Sequence, residues 1–201
     1  LELTRVLRER TSIEAGPPIA IDLSKDDISF YPIVYWPITK KINTLSNSMT
    51  NKIQLYMKNG GLIVFDTRDQ NPTNSISKTN SKAQEALKSI LKSLDLPILI
   101  QVPNNHVLRR SFYLLDELPG RFTGGKIWVE ATAKNSKDGV SSVLISGNDW
   151  ASAWAKDSTG KPIYSVIPGG EKQREFSYRF GINLIMYAMT GNYKADQVHI
   201  K

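Results

Sequence analysis

Apolar residues recur along the chain at two spacings. In SKAQEALKSILKSLDLP, Ala83, Ala86, Leu87, Ile90, Leu91 and Leu94 line one face of a helix, and Ser81 with Gln84 forms a capping box ahead of them. SNSMTNKIQLYMKNGG carries Met49, Ile53 and Tyr56 or Met57 on a similar stripe, with Gly60 as its stop. The run Leu62 to Phe65, LIVF, follows at once and lacks alternation, as a strand buried on both faces does. SFYPIVYWP reads as a strand interrupted by Pro32 and closed by Pro37. PILIQV is a short apolar run, and KIWVEAT and SSVLISG read as strands around an NSKDG turn. Leu3, Val6 and Leu7 share the face of a short amphipathic helix at the start. NDWASAWAKD opens a short helix with Asn148 or Asp149 as N-cap. A long final helix begins after Pro168-Gly169-Gly170, ends at Gly191-Asn192, and leaves NYKADQVHIK as a polar tail. The stretch 104–122 follows neither spacing. Alternating strands and helices predict an α/β fold: three layers, a mainly parallel sheet with helices on both faces. We expect residues 1–18 to be a helix and connection at the end of a longer parent chain, and residues 19–201 to form one domain.

Composition narrows the chemistry. The chain has 201 residues, 40% of them hydrophobic, and a net charge of +7. That charge favours anionic neighbours. The basic residues are scattered, however, and Lys40-Lys41 and Arg109-Arg110 are the only adjacent pairs, so nucleic acid is not an expected partner. With no cysteine, disulfides, thiolate catalysis and Cys-ligated zinc are excluded. No apolar run approaches the ~20 residues that span a bilayer, so direct membrane insertion by this stretch is not expected.

The strand LIVF runs out into Asp66-Thr67-Arg68-Asp69, and the carboxyl ends of strands are where open α/β sheets bind ligands. Asp66, Thr67, Arg68 and Asp69, with His106, Arg109 and Arg110, therefore form a candidate site. Asp66 and Asp69 with His106 would offer O,O,N ligands, yet two carboxylates three apart and a distant histidine have no diagnostic metal spacing, and Asx-turn and ion-pair roles account for them. No metal or cofactor is expected. Ser146 precedes Gly147 at a strand end, but Gly-x-Ser-x-Gly is not present and only two histidines, His106 and His199, could serve a triad. In SGNDWASAWA, Asp149 would fill any anion site at the helix start with its own charge. Asn148, Asp149, Trp150 and Trp154 make a candidate contact surface, with the tryptophans at i and i+4. On the last helix, Glu175, Arg179 and Asn183 recur every four residues. Together with Arg174 they suggest a structural interlock, in which Arg174 or Arg179 pairs with Asp66 or Asp69 at the strand tip.

Helix, Gly60-Gly61, buried strand and polar tip resemble the nucleophile-strand region of the class I glutamine amidotransferase-like fold, including its ThuA-like branch. Laid on that pattern, Thr67 stands where the cysteine nucleophile would be, and Phe65 and Asp69 stand where its small flanks would be. The downstream His-x-Glu pair is also missing, which puts catalysis in doubt. Longer blocks, among them FYPIVYWPI, GGLIVFDTRD, HVLRRSFYLL, PGRFTGGKIWVE, GNDWASAWA and QREFSYRFGINLIMYAMTGNYKADQVH, resemble one uncharacterised bacterial family. It is a domain of unknown function at the C-terminal end of large membrane-anchored proteins whose N-terminal region is similar to BatA aerotolerance regulators. This resemblance implies a flavodoxin-like, amidotransferase-like fold and a soluble domain of an inner-membrane-anchored parent, on an unspecified side. Its partners would be other domains of that parent or a membrane-associated assembly. No activity is implied. The expected function is a non-catalytic binding or scaffolding domain; the alternative is a cryptic hydrolase or small-ligand-binding domain using the strand tip with His106 and Arg109.

Overall fold

The computed structural model describes residues 1–39, 44–70, 81–131 and 140–198, the last eight by backbone alone. Its elements are α1 (Glu2–Arg10), β1 (Ile33–Pro37), α2 (Asn47–Lys58), β2 (Leu62–Asp66), α3 (Lys82–Leu91), β3 (Leu99–Gln101), a 3-10 turn (Val107–Arg109), β4 (Trp128–Glu130), β5 (Val143–Ser146), α4 (Trp150–Trp154) and α5 (Gly170–Val198). The expected NSKDG turn lies outside the described residues.

The protein is α/β, with one five-stranded sheet in the order β1-β2-β5-β4-β3. β1, β2 and β5 pair in parallel, whereas β4 pairs antiparallel to both β5 and β3. The sheet is therefore mixed, which corrects the expectation of a mainly parallel one. The cause is the connections: no helix lies between β3 and β4 beyond the single 3-10 turn, or among the described residues between β4 and β5. Without a crossover helix, successive strands reverse. Prolines bound both sheet edges, Pro32 and Pro37 around β1 and Pro97 and Pro103 around β3, which removes donors that a stray strand would use.

β2 is the central element and is buried from end to end. Its side chains alternate between two cores. Leu62 and Val64 pack with Val129, Leu144, Trp150, Phe180 and Leu184, while Ile63 and Phe65 pack with Ile53, Tyr56, Ala86, Leu87 and Ile90. This double burial is why LIVF shows no polar alternation. Ser46 caps α2 by accepting from the Met49 amide at 3.3 Å, and Ser81 caps α3 by accepting from the Gln84 amide at 3.1 Å. α5 runs through Gly191 and Asn192 to Val198, rather than stopping there. One interior glycine costs a helix only about 1 kcal/mol, too little to end it.

Candidate functional site

The carboxyl ends of β2 and β5 meet at Asp66, which is fully buried. Its carboxylate accepts four hydrogen bonds. The Tyr35 hydroxyl donates at 2.6 Å, and the backbone amides of Arg68, Asp149 and Trp150 donate at 3.0, 3.2 and 3.1 Å. Two of those amides belong to the start of α4. Asp66 thus caps a helix that is remote in sequence, and Asp149, at the N-cap position itself, makes no side-chain cap. Burial pushes the Asp66 carboxyl above the usual carboxylate range, and the four donors oppose that shift. The same burial, with the Asp66 charge alongside, holds the Tyr35 hydroxyl well above its ordinary value, so Tyr35 remains a donor.

Two residues beside this carboxylate, Arg68 and Asp149, have φ of 56°, the left-handed region. Each turns its amide toward Asp66. Asp tolerates that conformation better than Arg does; the Arg68 guanidinium also donates to the Ile38 carbonyl at 3.0 Å.

The other tip residues form a second small network. Thr67 donates its hydroxyl to Asp69, and so does Ser81, the cap of α3. Asp69 therefore ties the β2 tip to the helix that follows it. Gly147 comes close to this pair: a Cβ there would lie 2.7 Å from Asp69 Oδ1 and 3.1 Å from Thr67 Oγ1.

Residues 1–189 match the family described as domain of unknown function DUF4159. The chain belongs to this family. No curated protein matches it.

In this DUF4159 domain His106 and Arg109 make none of the hydrogen bonds at the tip. His106 packs against Tyr187 at 5.6 Å between ring centroids, and its Nδ1 accepts from the Leu108 amide at 3.2 Å. Burial, and then the nearby charges of Arg109 and Arg110, hold the imidazole below its ordinary value. Arg109 donates to the Pro103 and Asp116 carbonyls. No cluster of three or more His, Asp or Glu residues that could hold a metal occurs among the described residues.

The pairing of Arg174 or Arg179 with Asp66 or Asp69 is not made. Arg174, only 2% exposed, donates Nη1 to the Ala153 carbonyl and Nη2 to the Tyr164 carbonyl, each at 2.6 Å, while its Nε meets Glu171 at 3.0 Å. Arg179 bonds Glu175 at 3.0 Å, and Glu175 also takes a two-pronged contact from Arg10 at 2.7 and 2.9 Å. The physical reason is that α4 already presents neutral amides to Asp66, so that carboxylate needs no cation. Arg174 serves the opposite end of α4 instead, where carbonyls point outward. The five-residue helix is held by a carboxylate at its start and a guanidinium at its end, in the sense of its dipole.

Asn183 forms an interlock of its own. It is fully buried; its Oδ1 accepts from the Phe112 and Tyr113 amides at 3.2 and 2.7 Å, and its Nδ2 donates to the Leu108 and Tyr113 carbonyls at 3.0 and 2.9 Å. One α5 side chain thereby fixes the irregular segment 108–113. The contact-surface role expected of Asn148, Asp149 and Trp150 is closed by burial: they are 2%, 4% and 0% exposed, and Trp150 stacks on Phe180 at 4.5 Å. Trp154 is half-buried and donates Nε1 to the Ser177 carbonyl at 2.8 Å.

Sequence reasoning missed three residues that organise this region. Tyr35 is the hydroxyl on Asp66. Arg121 meets Asp149 Oδ2 at 3.5 Å and lies over the Tyr164 ring. Gln173 clamps the Gly120 and Ile167 carbonyls at 2.9 and 3.0 Å. All three stand in the blocks that carry the family resemblance, but their main partners, Asp66, Asp149 and the Gly120 carbonyl, lie 28 to 53 positions away, so no local spacing marks their roles. Arg121, Gln173 and Arg174 together clamp the loop at 163–167, which exposes Ile163, Tyr164 and Ile167.

Proposed function

We propose that this domain is a non-catalytic interaction module of a membrane-anchored parent protein, with a three-layer, flavodoxin-like and amidotransferase-like arrangement in which the nucleophile turn has become a structural joint. The observation that carries this reading is the Asp66 carboxylate, whose hydrogen-bonding capacity is used up by Tyr35 and three backbone amides. A general base needs a free lone pair within reach of a substrate proton, and Asp66 has neither that nor access to solvent. Thr67 occupies the nucleophile position of the resembled fold, yet its hydroxyl donates to Asp69, which also holds the α3 cap. The alternation of β2 side chains between two cores supports the layered arrangement.

Membrane attachment is assigned to the parent, not to this domain. No helix among the described residues is long and apolar enough to cross a membrane. The face offered to a partner is the 163–167 loop. Its backbone is already clamped, so little ordering entropy is lost on binding, and an exposed tyrosine beside an arginine and isoleucines has the composition of an interface centre.

The test compares cells expressing tagged full-length parent with either the wild-type domain or Tyr164→Asp/Ile167→Asp. Covalent capture followed by mass spectrometry is expected to recover a defined set of membrane-associated proteins with wild type and to lose them with the variant. In parallel, the purified domain is offered ester, amide and phosphoester substrates. Turnover that disappears in Thr67→Val would refute the non-catalytic reading in favour of a hydrolase.

A further inference from the structure

Helix α1 is attached by a joint that the sheet does not share. Its buried side chains are Val6 and Leu7, and they form a separate small core with Tyr178 and Ile182 of α5. The two helices approach closely at Gly181, where a Cβ would lie 2.6 Å from Leu3 Cδ1 and 3.1 Å from Trp154 Cζ2. An ion pair stands at each end of α1. Glu2 meets Lys156 at 3.2 Å, and Arg10 meets Glu175 at 2.7 Å.

Between these anchors the contact is open. A crevice of about 160 Å³ has charged walls that include Arg5, Arg10, Lys156, Glu171, Arg174 and Glu175. The side chains of the two pairs are 15% to 36% exposed beside this crevice, so added salt reaches them and weakens their pairing in part. The chain from 11 to 32, between α1 and β1, contains no helix or strand. α1 can therefore leave without drawing on the sheet. A helix of nine residues does not persist alone in water, so undocking and melting of α1 are one event.

We infer that α1 is an ionically controlled latch: it releases from α5 as a unit, ahead of the sheet, and uncovers the Tyr178, Gly181 and Ile182 stripe with the Trp154 edge. The stripe is shaped for an amphipathic helix bearing an acid near its start and an arginine near its end, since that is what α1 places against Lys156 and Glu175.

Native-state hydrogen exchange on the full chain tests the latch. Amides of α1 are expected to exchange at least about tenfold faster than those of β2. Raising salt to about 0.5 M is expected to speed α1 several-fold further and to leave β2 unchanged. Glu175→Gln is expected to do the same at low salt. Glu175 lies on α5, so a helix that merely frayed on its own would ignore that substitution. If Glu175→Gln weakens α5 itself, visible as faster exchange at 174–188, Lys156→Gln repeats the test from the other end. Exchange of α1 at the rate of β2, or α1 exchange indifferent to salt and to both variants, overturns the inference.

Discussion

The carboxylate of Asp66, the last residue of β2, accepts the backbone amide of Trp150, the first residue of α4, at 3.1 Å. A strand and a helix 84 positions apart are joined at one buried anion. The joint explains why β2 ends on a buried aspartate: the charge is consumed in holding the chain.

Removal of that anion has a definite cost. In Asp66→Ala the amides of Arg68, Asp149 and Trp150 lose their acceptor together. Each buried donor left unpaired costs about 1–3 kcal/mol, so a loss of about 3 kcal/mol or more is expected by urea denaturation. Formate should raise the melting temperature of Asp66→Ala by occupying the vacated donors, and should leave wild type unmoved. A variant as stable as wild type contradicts the capping role.

Arg174 guards the other end of α4. Arg174→Lys keeps the charge but cannot reach the Ala153 and Tyr164 carbonyls at once, because one ammonium replaces a fork. We expect a loss of about 2 kcal/mol and faster amide exchange in both α4 and the 163–167 loop. Exchange confined to α5 itself would show that Arg174 acts only within its own helix.

Asn183 distinguishes donors from acceptors. Asn183→Asp retains the acceptor for Phe112 and Tyr113 but sets a carboxylate against the Leu108 and Tyr113 carbonyls. We expect a loss of at least about 2 kcal/mol near neutral pH, shrinking as acid protonates the new carboxyl. A stability difference that stays flat between neutral and acidic pH argues against this placement.

Acid should open α1 through Glu2. The Arg5 guanidinium bonded to it, with Lys156 assisting, holds the Glu2 carboxyl down at about 2, against an ordinary 4.5. A folded value below the unfolded one means that the stabilisation is complete above pH 4.5 and is lost as pH falls toward 2. Helix content of α1, followed by exchange of its amides, should decline through that window in wild type and show a flatter decline in Glu2→Gln. Equal acid profiles for the two proteins would remove Glu2 from the docking energetics.

His106 is a second group whose contribution is lost in acid. Burial holds its imidazole below 6.5, and the neutral Nδ1 accepts the Leu108 amide. A histidine with a depressed folded value contributes stability that is full above the unfolded value and declines as pH falls through the window below 6.5. An NMR titration of the imidazole should give a midpoint below 6.5. A midpoint at or above it means that the ring is not shielded as described.

Much of this was legible from the pattern of residues alone. LIVF has no alternation because β2 has a core on each side, and the period of Ala83, Ala86, Leu87 and Ile90 matches the one buried face of α3. Ser81 caps the helix that follows it, since capping is a contact over three residues and local sequence contains both partners. The missing cysteine excludes thiolate chemistry at the strand tip without any structure. The direction of β4, the partners of Asp66, Arg174 and Asn183, and the burial of Trp150 were decided by tertiary structure alone. Strand direction depends on how a connection is routed through space. A buried polar side chain binds whichever donors or acceptors the packed elements bring beside it, and for Asp66 and Asn183 all of these except the Arg68 amide come from residues 31 to 84 positions away.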